Sequence, residues 1–72
     1  MKANQEFWKA TDHNLVESYY RKLEDLIGDM NLDANIVYEY FLPINREYGK
    51  FKKWEGGESL EVEIERCQFV EI

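Results

Sequence analysis

Cys67 and His13 carry the side chains of this chain best suited to nucleophilic and base chemistry, and each is the only residue of its type. Nucleophilic catalysis needs an activated nucleophile beside a base, and no sequence pattern brings these two residues together. A cysteine in a strand usually serves as a small buried apolar residue. His13 follows Asp12 in a polar stretch, which favours a solvated residue near the start of a helix. We therefore expect no catalytic residues.

The spacing of Asp29, Asn31 and Asp33 is that of the first ligands of a calcium loop. Ala34 stands where such a loop requires glycine, and Tyr40 stands where it requires a bidentate glutamate. The segment is therefore interpreted as a helix end followed by a turn rich in Asp and Asn. One histidine and one cysteine also fall short of the roughly four ligands of a zinc site. We expect no metal and no cofactor.

The charge balance limits the class of partner. Fifteen acidic residues against nine basic ones give a net charge of −6. This charge repels phosphate backbones and anionic lipids, so we expect neither direct nucleic-acid binding nor membrane binding. The same charge favours a basic protein as partner. It also has a simpler explanation, because net negative charge keeps a small protein soluble.

A row of carboxylates lies in the C-terminal part of the chain. Glu61, Glu63 and Glu65 alternate with apolar residues, so in a strand they lie on one face about 6.6–6.8 Å apart. Such a row suits the Lys and Arg side chains of a partner that normally grips a phosphate backbone. Alternatively, Lys50 and Lys52 of a neighbouring strand neutralise the row, which is then an ordinary solvated face.

Two segments before this row are predicted from their apolar spacing. Residues 14–30 show the spacing of three and four that marks an amphipathic helix, with Asn14 as its candidate N-cap, or Thr11 or Asp12 as the cap of a slightly longer helix. Residues 35–42 fit either a strand or a helix. The strand interpretation is preferred, since six of the eight residues are β-branched, aromatic or Leu, and Pro43 would end a helix after about two turns.

A β-hairpin is predicted for residues 48–54 and 59–72, with Gly56 and Gly57 as its two-residue loop. This register places opposite charges across from each other on one face and mainly apolar side chains on the other. The expected pairs are Lys52 with Glu61, Lys50 with Glu63, Phe51 with Val62, and Lys53 with Leu60. Beyond Arg66 the apolar pattern becomes two-sided, which indicates a central or covered strand, or a bulge.

These elements predict one α+β domain over residues 1–72, with one helix packed on a three-stranded antiparallel β-meander. Residues 6–9 form either a helical turn or a fourth, edge strand. The second face of such a sheet is free for contacts. Because the N-terminal residues lack an apolar run and the cysteine is single, we expect a cytoplasmic protein, in the host cytoplasm if it is phage-encoded.

The expected function is non-enzymatic binding of a basic protein through acidic and aromatic groups of the sheet. Tyr48 is a further aromatic that suits an interface. The expected contacts are Glu61, Glu63, Glu65, Tyr38, Tyr40 and Trp54. In size, acidity and lack of catalytic residues the chain resembles the compact inhibitors of phages and mobile elements, including anti-CRISPR proteins and DNA mimics. This resemblance is one of composition and matches no residue pattern.

The alternative function is a small structural or regulatory subunit. In that case the apolar residues Phe69, Val70 and Ile72 make the C-terminal strand an exposed edge, which pairs with the same strand of a second copy.

Overall fold

The computed structural model describes residues 5–44 and 46–69, which form two helices and a four-stranded antiparallel sheet. The predicted α+β class is therefore confirmed. The sheet order is β2-β1-β4-β3, so two hairpins lie side by side with β1 and β4 at the centre. This order differs from the predicted meander. The elements are β1 Gln5–Thr11, β2 Glu17–Tyr20, α1 Leu23–Met30, α2 Ala34–Phe41, β3 Tyr48–Glu55 and β4 Glu58–Phe69.

The helix predicted for residues 14–30 is correct only for α1, and its first half is wrong. The Asp12 side chain accepts hydrogen bonds from the backbone N–H groups of Asn14 (2.9 Å) and Val16 (3.0 Å). Leu15 adopts a left-handed conformation with φ of 64°. These features make a turn in which Asn14 is no N-cap, and the chain returns as β2.

The strand predicted for residues 35–42 is also wrong, because this segment forms α2. Asp33 caps the helix by accepting hydrogen bonds from the N–H groups of Asn35 (3.0 Å) and Ile36 (3.3 Å). Val37 and Phe41, four residues apart, are the buried residues of α2. The alternative helical interpretation of this segment was therefore the correct one, and the cap decides it.

The hairpin prediction is confirmed pair by pair. Lys52 lies opposite Glu61, and Lys50 lies opposite Glu63. Gly56 and Gly57 have φ values of 60° and 81°, the left-handed conformations that a two-residue hairpin turn of type I′ requires. The strands lie at Tyr48–Glu55 and Glu58–Phe69, close to the predicted positions, and the predicted end of the second strand at residues 70–72 lies outside the described residues.

The first and last described strands, β1 and β4, lie side by side in the centre of the sheet. Residues 6–9 belong to β1, which pairs with both β2 and β4 and is therefore not an edge strand. The pairing of β1 with β4 runs without interruption from Gln5–Phe69 to Thr11–Glu63. As far as Phe69, β4 is thus a central strand without a bulge, and the remainder of the two-sided pattern, Val70 and Ile72, lies outside the described residues.

One hydrophobic cluster joins both helices with strands β1, β3 and β4. The Phe41 ring lies 5.1 Å from Trp8 and 5.7 Å from Phe51, measured between ring centres. The buried residues are Trp8, Ala10, Leu23, Leu26, Ile27, Met30, Val37, Phe41, Phe51, Val62 and Ile64.

Neither helix of the described chain has the length and hydrophobicity needed to cross a membrane.

Candidate functional site

Alternation along the strands separates the buried cluster from a second set of side chains, which we call the open face. Trp8, Ala10, Phe51, Val62 and Ile64 project toward the core, so the strand residues between them project the other way. The open face consists of Phe7, Lys9, Thr11, Glu17, Tyr19, Tyr48, Lys50, Lys52, Trp54, Ser59, Glu61, Glu63, Glu65 and Cys67.

The predicted acidic row runs along the middle of the open face, because β4 is a central strand. Lysines of both neighbouring strands approach it. Lys9 Nζ lies 3.1 Å from the Glu65 carboxylate, and Lys50 Nζ lies 3.9 Å from that of Glu61 and 3.8 Å from that of Glu63. Each carboxylate of the row thus has a lysine partner, but the partners are Lys9 and Lys50, whereas the neutralised interpretation expected Lys50 and Lys52.

The open face carries little net charge. Its carboxylates also include Glu17, which lies 3.8 Å from Lys9 Nζ. The hydrogen bond and charge of Glu65, followed by the charge of Glu17, raise the pKa of Lys9. Four glutamates and three lysines leave a net charge of −1 on this face. The face therefore combines both signs of charge in alternation and is not uniformly acidic.

Uncompensated carboxylates lie instead on the helical segment. Residues 21–41 contain five acidic and two basic residues. In the described part of the chain, no basic group lies within 4.0 Å of the carboxylates of Glu24, Asp25, Asp33 or Glu39. Residues 21–41 therefore carry a charge of −3, half of the net charge of −6, and this charge lies outside the predicted contact row.

Three large aromatic side chains stand exposed on the open face. The exposed fractions are 72% for Trp54, 60% for Tyr19 and 47% for Tyr48. The Tyr48 hydroxyl donates a hydrogen bond to Glu63, and the Tyr19 hydroxyl donates one of 3.0 Å to Glu17. Trp54 lies near the hairpin turn, opposite Ser59.

The structure brings together four of the six predicted contact residues. Glu61, Glu63, Glu65 and Trp54 share the open face, as predicted from the hairpin register. Tyr38 and Tyr40 do not join them, because the segment that holds them is helix α2 and not a strand.

Tyr40 serves the core and not the open face. Its ring lies 5.1 Å from Phe41 and 5.4 Å from Phe51, between ring centres. Its hydroxyl donates a hydrogen bond of 2.9 Å to the Tyr48 carbonyl oxygen, and the Arg46 guanidinium lies 4.4 Å from its ring centre. We therefore replace Tyr38 and Tyr40 in the candidate site with Tyr19 and Tyr48.

Sequence reasoning missed the contribution of β1 and β2 to this face. Lys9, Glu17 and Tyr19 lie beside the acidic row because β1 pairs with β4 across more than 50 residues of sequence. The alternation of Trp8 and Ala10 with Phe7 and Lys9 is the local pattern that indicates β1. No local pattern indicates which strand it joins.

Cys67 and His13 lie far apart. Cys67 pairs with Phe7 near the start of β1, whereas His13 follows the end of that strand, roughly 20 Å away at the rise of a strand. Burial, followed by the charge of Glu65, raises the pKa of the Cys67 thiol. This favours the weakly nucleophilic protonated form. Cys67 is half-buried and not fully buried as its pattern predicted.

Asn31 and Asp33, from the segment with calcium-loop spacing, terminate helices. Asn31 is the left-handed C-cap of α1, and its N–H donates to the Gly28 carbonyl oxygen at 3.4 Å. Asp33 is the N-cap of α2. Among the described residues, no group of three His, Cys, Asp or Glu side chains is placed to hold a metal ion.

Comparison of the chain with protein-family models, curated proteins and solved structures gave no match. A functional proposal therefore depends on the residues of this chain alone.

Proposed function

We propose that this protein is a non-enzymatic module that binds a basic protein through the open face of its sheet. The observation that carries the proposal is the presence of exposed Trp54, Tyr19 and Tyr48 beside a row of carboxylates on one sheet face. The proposal takes both helices to cover the other face. The packing of Phe41 against Trp8 and Phe51 supports this arrangement.

The aromatic side chains suit a contact surface for two reasons. Trp and Tyr contribute disproportionately to binding, because they are large and lose little conformational entropy on binding. Tyr19 and Tyr48 are also held by hydrogen bonds to Glu17 and Glu63 before any partner arrives. Such preorganisation reduces the cost of binding.

The carboxylates of Glu61 and Glu63 remain available to a partner despite Lys50, whereas Glu65 is held more closely by Lys9, at 3.1 Å. The contacts of Lys50 with Glu61 and Glu63 are 3.9 and 3.8 Å long, and the lysine side chain is 55% exposed. Exposed ion pairs of this kind contribute about 0–1 kcal/mol. Arginines of a partner, which bind carboxylates in a bidentate manner, can replace them at little cost.

Net charge supports the choice of a basic partner. A net charge of −6 accelerates association with a positively charged protein and slows association with an acidic one. A protein that binds nucleic acid offers such a surface. In this proposal the chain is an inhibitor that occupies that surface, in the manner of phage or mobile-element proteins such as anti-CRISPR proteins and DNA mimics.

The first experiment is affinity capture of the tagged protein from host lysate at low and at moderate salt, with the retained proteins identified by mass spectrometry. The affinity of the retained protein is then measured with purified components. We expect Kd to rise with salt, and we expect duplex DNA to displace the chain from a nucleic-acid-binding partner.

Two matched variants test the face itself. E61Q/E63Q/E65Q removes three charges from the open face, and E24Q/D25N/E39Q removes three from the helices. We expect the first variant to raise Kd about tenfold or more, and the second to change it less than about threefold. W54A should weaken binding like the first variant. Equal effects of the two triple variants would contradict the proposal.

The dimer alternative rests on residues that are only partly described. Val70 and Ile72 lie outside the described residues. The backbone of Phe69 pairs with that of Gln5 in β1. One side of β4 is thus occupied by β1 at this point, whereas β3 pairs with the other side only as far as Glu65, so the dimer stays an alternative.

A further inference from the structure

The outer edge of β3 presents backbone hydrogen-bonding groups to solvent. β3 is the last strand in the sheet order, so β4 pairs with one of its sides. The Arg66 N–H donates to the Glu47 carbonyl oxygen at 2.7 Å, and groups facing a neighbour alternate along an antiparallel strand. The backbone N–H and C=O groups of the odd-numbered residues of β3 therefore point toward β4. The backbone groups of the even-numbered residues point outward, and these residues are Tyr48, Lys50, Lys52 and Trp54.

Part of this edge is occupied and part is free. The Tyr48 carbonyl oxygen accepts the hydrogen bond from the Tyr40 hydroxyl. No strand among the described residues pairs with the outer side of Lys50, Lys52 or Trp54. These three residues offer alternating N–H and C=O groups over about 14 Å, the length that five residues span in a strand.

An apolar depression adjoins the free edge on the core side of the sheet. It lies between α2 and β3, and the Ile36 side chain on its rim is 58% exposed. The deeper Val37 and Phe51 are buried. The lining residues are Leu32, Asp33, Ile36, Val37, Phe51 and Lys52.

We infer that this edge and depression bind an extended segment of another protein, in which apolar and acidic residues alternate. A strand added to an edge projects alternate side chains to opposite faces of the sheet. Apolar side chains of the segment then enter the depression beside Ile36, Val37 and Phe51. The residues between them project toward the open face, next to Lys50 and Lys52.

The positive charges of Lys50 and Lys52 favour acidic residues at the positions of the added segment that project toward the open face. Lys50 and Lys52 lie at the outer side of the open face, and Lys53 follows them in the same strand. No described carboxylate lies within 4.0 Å of Lys52 Nζ, so Lys52 is available for a new ion pair. A carboxylate of the added segment opposite Lys52 would form a cross-strand pair of opposite charge.

The same lysines exclude a second copy of this chain from the edge. Antiparallel pairing of two β3 edges would bring Lys50 and Lys52 of both copies together on one face, and like charges across strands destabilise a pair. Lysines on an edge strand commonly prevent such self-association. The backbone edge and the depression lie beside the open face and share only Lys50, Lys52 and Trp54 with it, and the inference does not depend on the function proposed above.

The test uses a short synthetic peptide of alternating glutamate and leucine, titrated into the isotope-labelled protein and followed by NMR. We expect the outward amides of Lys50, Lys52 and Trp54 to shift and to gain protection from hydrogen exchange. The amides of Phe51 and Lys53, already bonded to β4, should change less. An alternation of affected and unaffected amides along β3 is specific to the addition of a strand.

Three controls separate the inferred site from others. A peptide N-methylated at alternate residues cannot form the backbone bonds and should bind at least about tenfold more weakly. I36D places a charge in the depression and should weaken binding similarly, whereas L42D changes another exposed apolar residue, 65% exposed, and should not. E61Q/E63Q/E65Q removes the carboxylates that compete for Lys50 and should strengthen peptide binding, the opposite of its effect on the open-face contact.

The inference is overturned if the peptide fails to bind at millimolar concentration, if the N-methylated peptide binds equally well, or if the shifts show no alternation along β3. Loss of peptide binding with intact open-face binding refutes this site alone, so the two proposals fail independently.

Discussion

The guanidinium of Arg66 lies 4.7 Å from the centre of the Trp8 ring, across the β1–β4 pairing. The Arg66 side chain is only 12% exposed, and its carboxylate partner is Glu6 at 3.4 Å. Its nitrogens also donate to the carbonyl oxygens of Arg46 (3.1 Å) and Phe41 (3.4 Å). One side chain therefore joins both central strands, the end of α2 and the segment before β3.

Replacement of Arg66 should destabilise the fold strongly. R66A removes the hydrogen bonds and the cation–π contact, and we expect a loss of about 2–4 kcal/mol in the free energy of unfolding. R66K keeps the charge, but its single nitrogen cannot reach the three acceptors that separate guanidinium nitrogens contact, so it should recover less than half of the loss. Urea denaturation measures both variants. Wild-type stability of R66K would show that charge alone is required.

Gly49 and Gly28 make a matched pair for substitution by alanine. A Cβ at Gly49 would lie 2.5 Å from Tyr40 Cε1, whose ring is held between Phe41 and Phe51. We expect G49A to destabilise the protein by about 1–3 kcal/mol. A Cβ at Gly28 meets nothing within 4 Å.

G28A should have the opposite sign, with a gain of about 0.5–1 kcal/mol, because alanine is favoured over glycine inside a helix such as α1. Thermal and urea unfolding of the two variants measure both effects. A stability of G49A equal to wild type would mean that the Tyr40 ring moves aside freely.

The hairpin was predictable from sequence because every determinant of it is local. Gly56 and Gly57 set the turn, and the pairing of Lys50 and Lys52 with Glu63 and Glu61 permits one register. The prediction of a helix was wrong for residues 14–22, and the reason is also local. The Asp12 side chain makes a turn that competes with helix formation, and apolar spacing carries no information about it.

Helix α2 shows how a capping residue decides between two apolar patterns. Val37 and Phe41 fit a helix, whereas Ile36, Tyr38 and Tyr40 fit a strand. Asp33, treated in the sequence as part of a failed calcium loop, is the residue that favours the helix. The placement of Lys9 beside Glu65 was not predictable, because it depends on long-range pairing of β1 with β4.

Asp33 should contribute to stability through its cap. D33A removes the acceptor for the N–H groups of Asn35 and Ile36, and we expect a loss of about 1 kcal/mol. D33N retains a capping oxygen and should stay within about 0.5 kcal/mol of wild type. Chemical denaturation of the two variants separates the cap from the charge. Equal losses would assign the effect to the charge near the helix start.

The hydrogen bond from Tyr48 to Glu63 should make the stability of the fold sensitive to alkaline pH. This bond, followed by burial and by the charge of Glu63, raises the pKa of Tyr48 from 10.0 to about 12. The unfolded chain releases the Tyr48 proton near pH 10, whereas the folded chain retains it to about pH 12. The contribution of this group to stability is thus complete below pH 10 and is lost as the pH rises to about 12.

Absorbance of tyrosinate near 295 nm, compared between wild type and Y48F, isolates the titration of Tyr48. E63Q removes the charged acceptor, so Tyr48 should then titrate closer to 10.0, and the fall in stability between pH 10 and 12 should become shallower. E58Q, an exposed glutamate of the same strand, serves as the control and should leave the titration of Tyr48 unchanged. If E63Q has no effect on that titration, Glu63 does not hold the Tyr48 side chain. Tyr48 is then not preorganised for a partner.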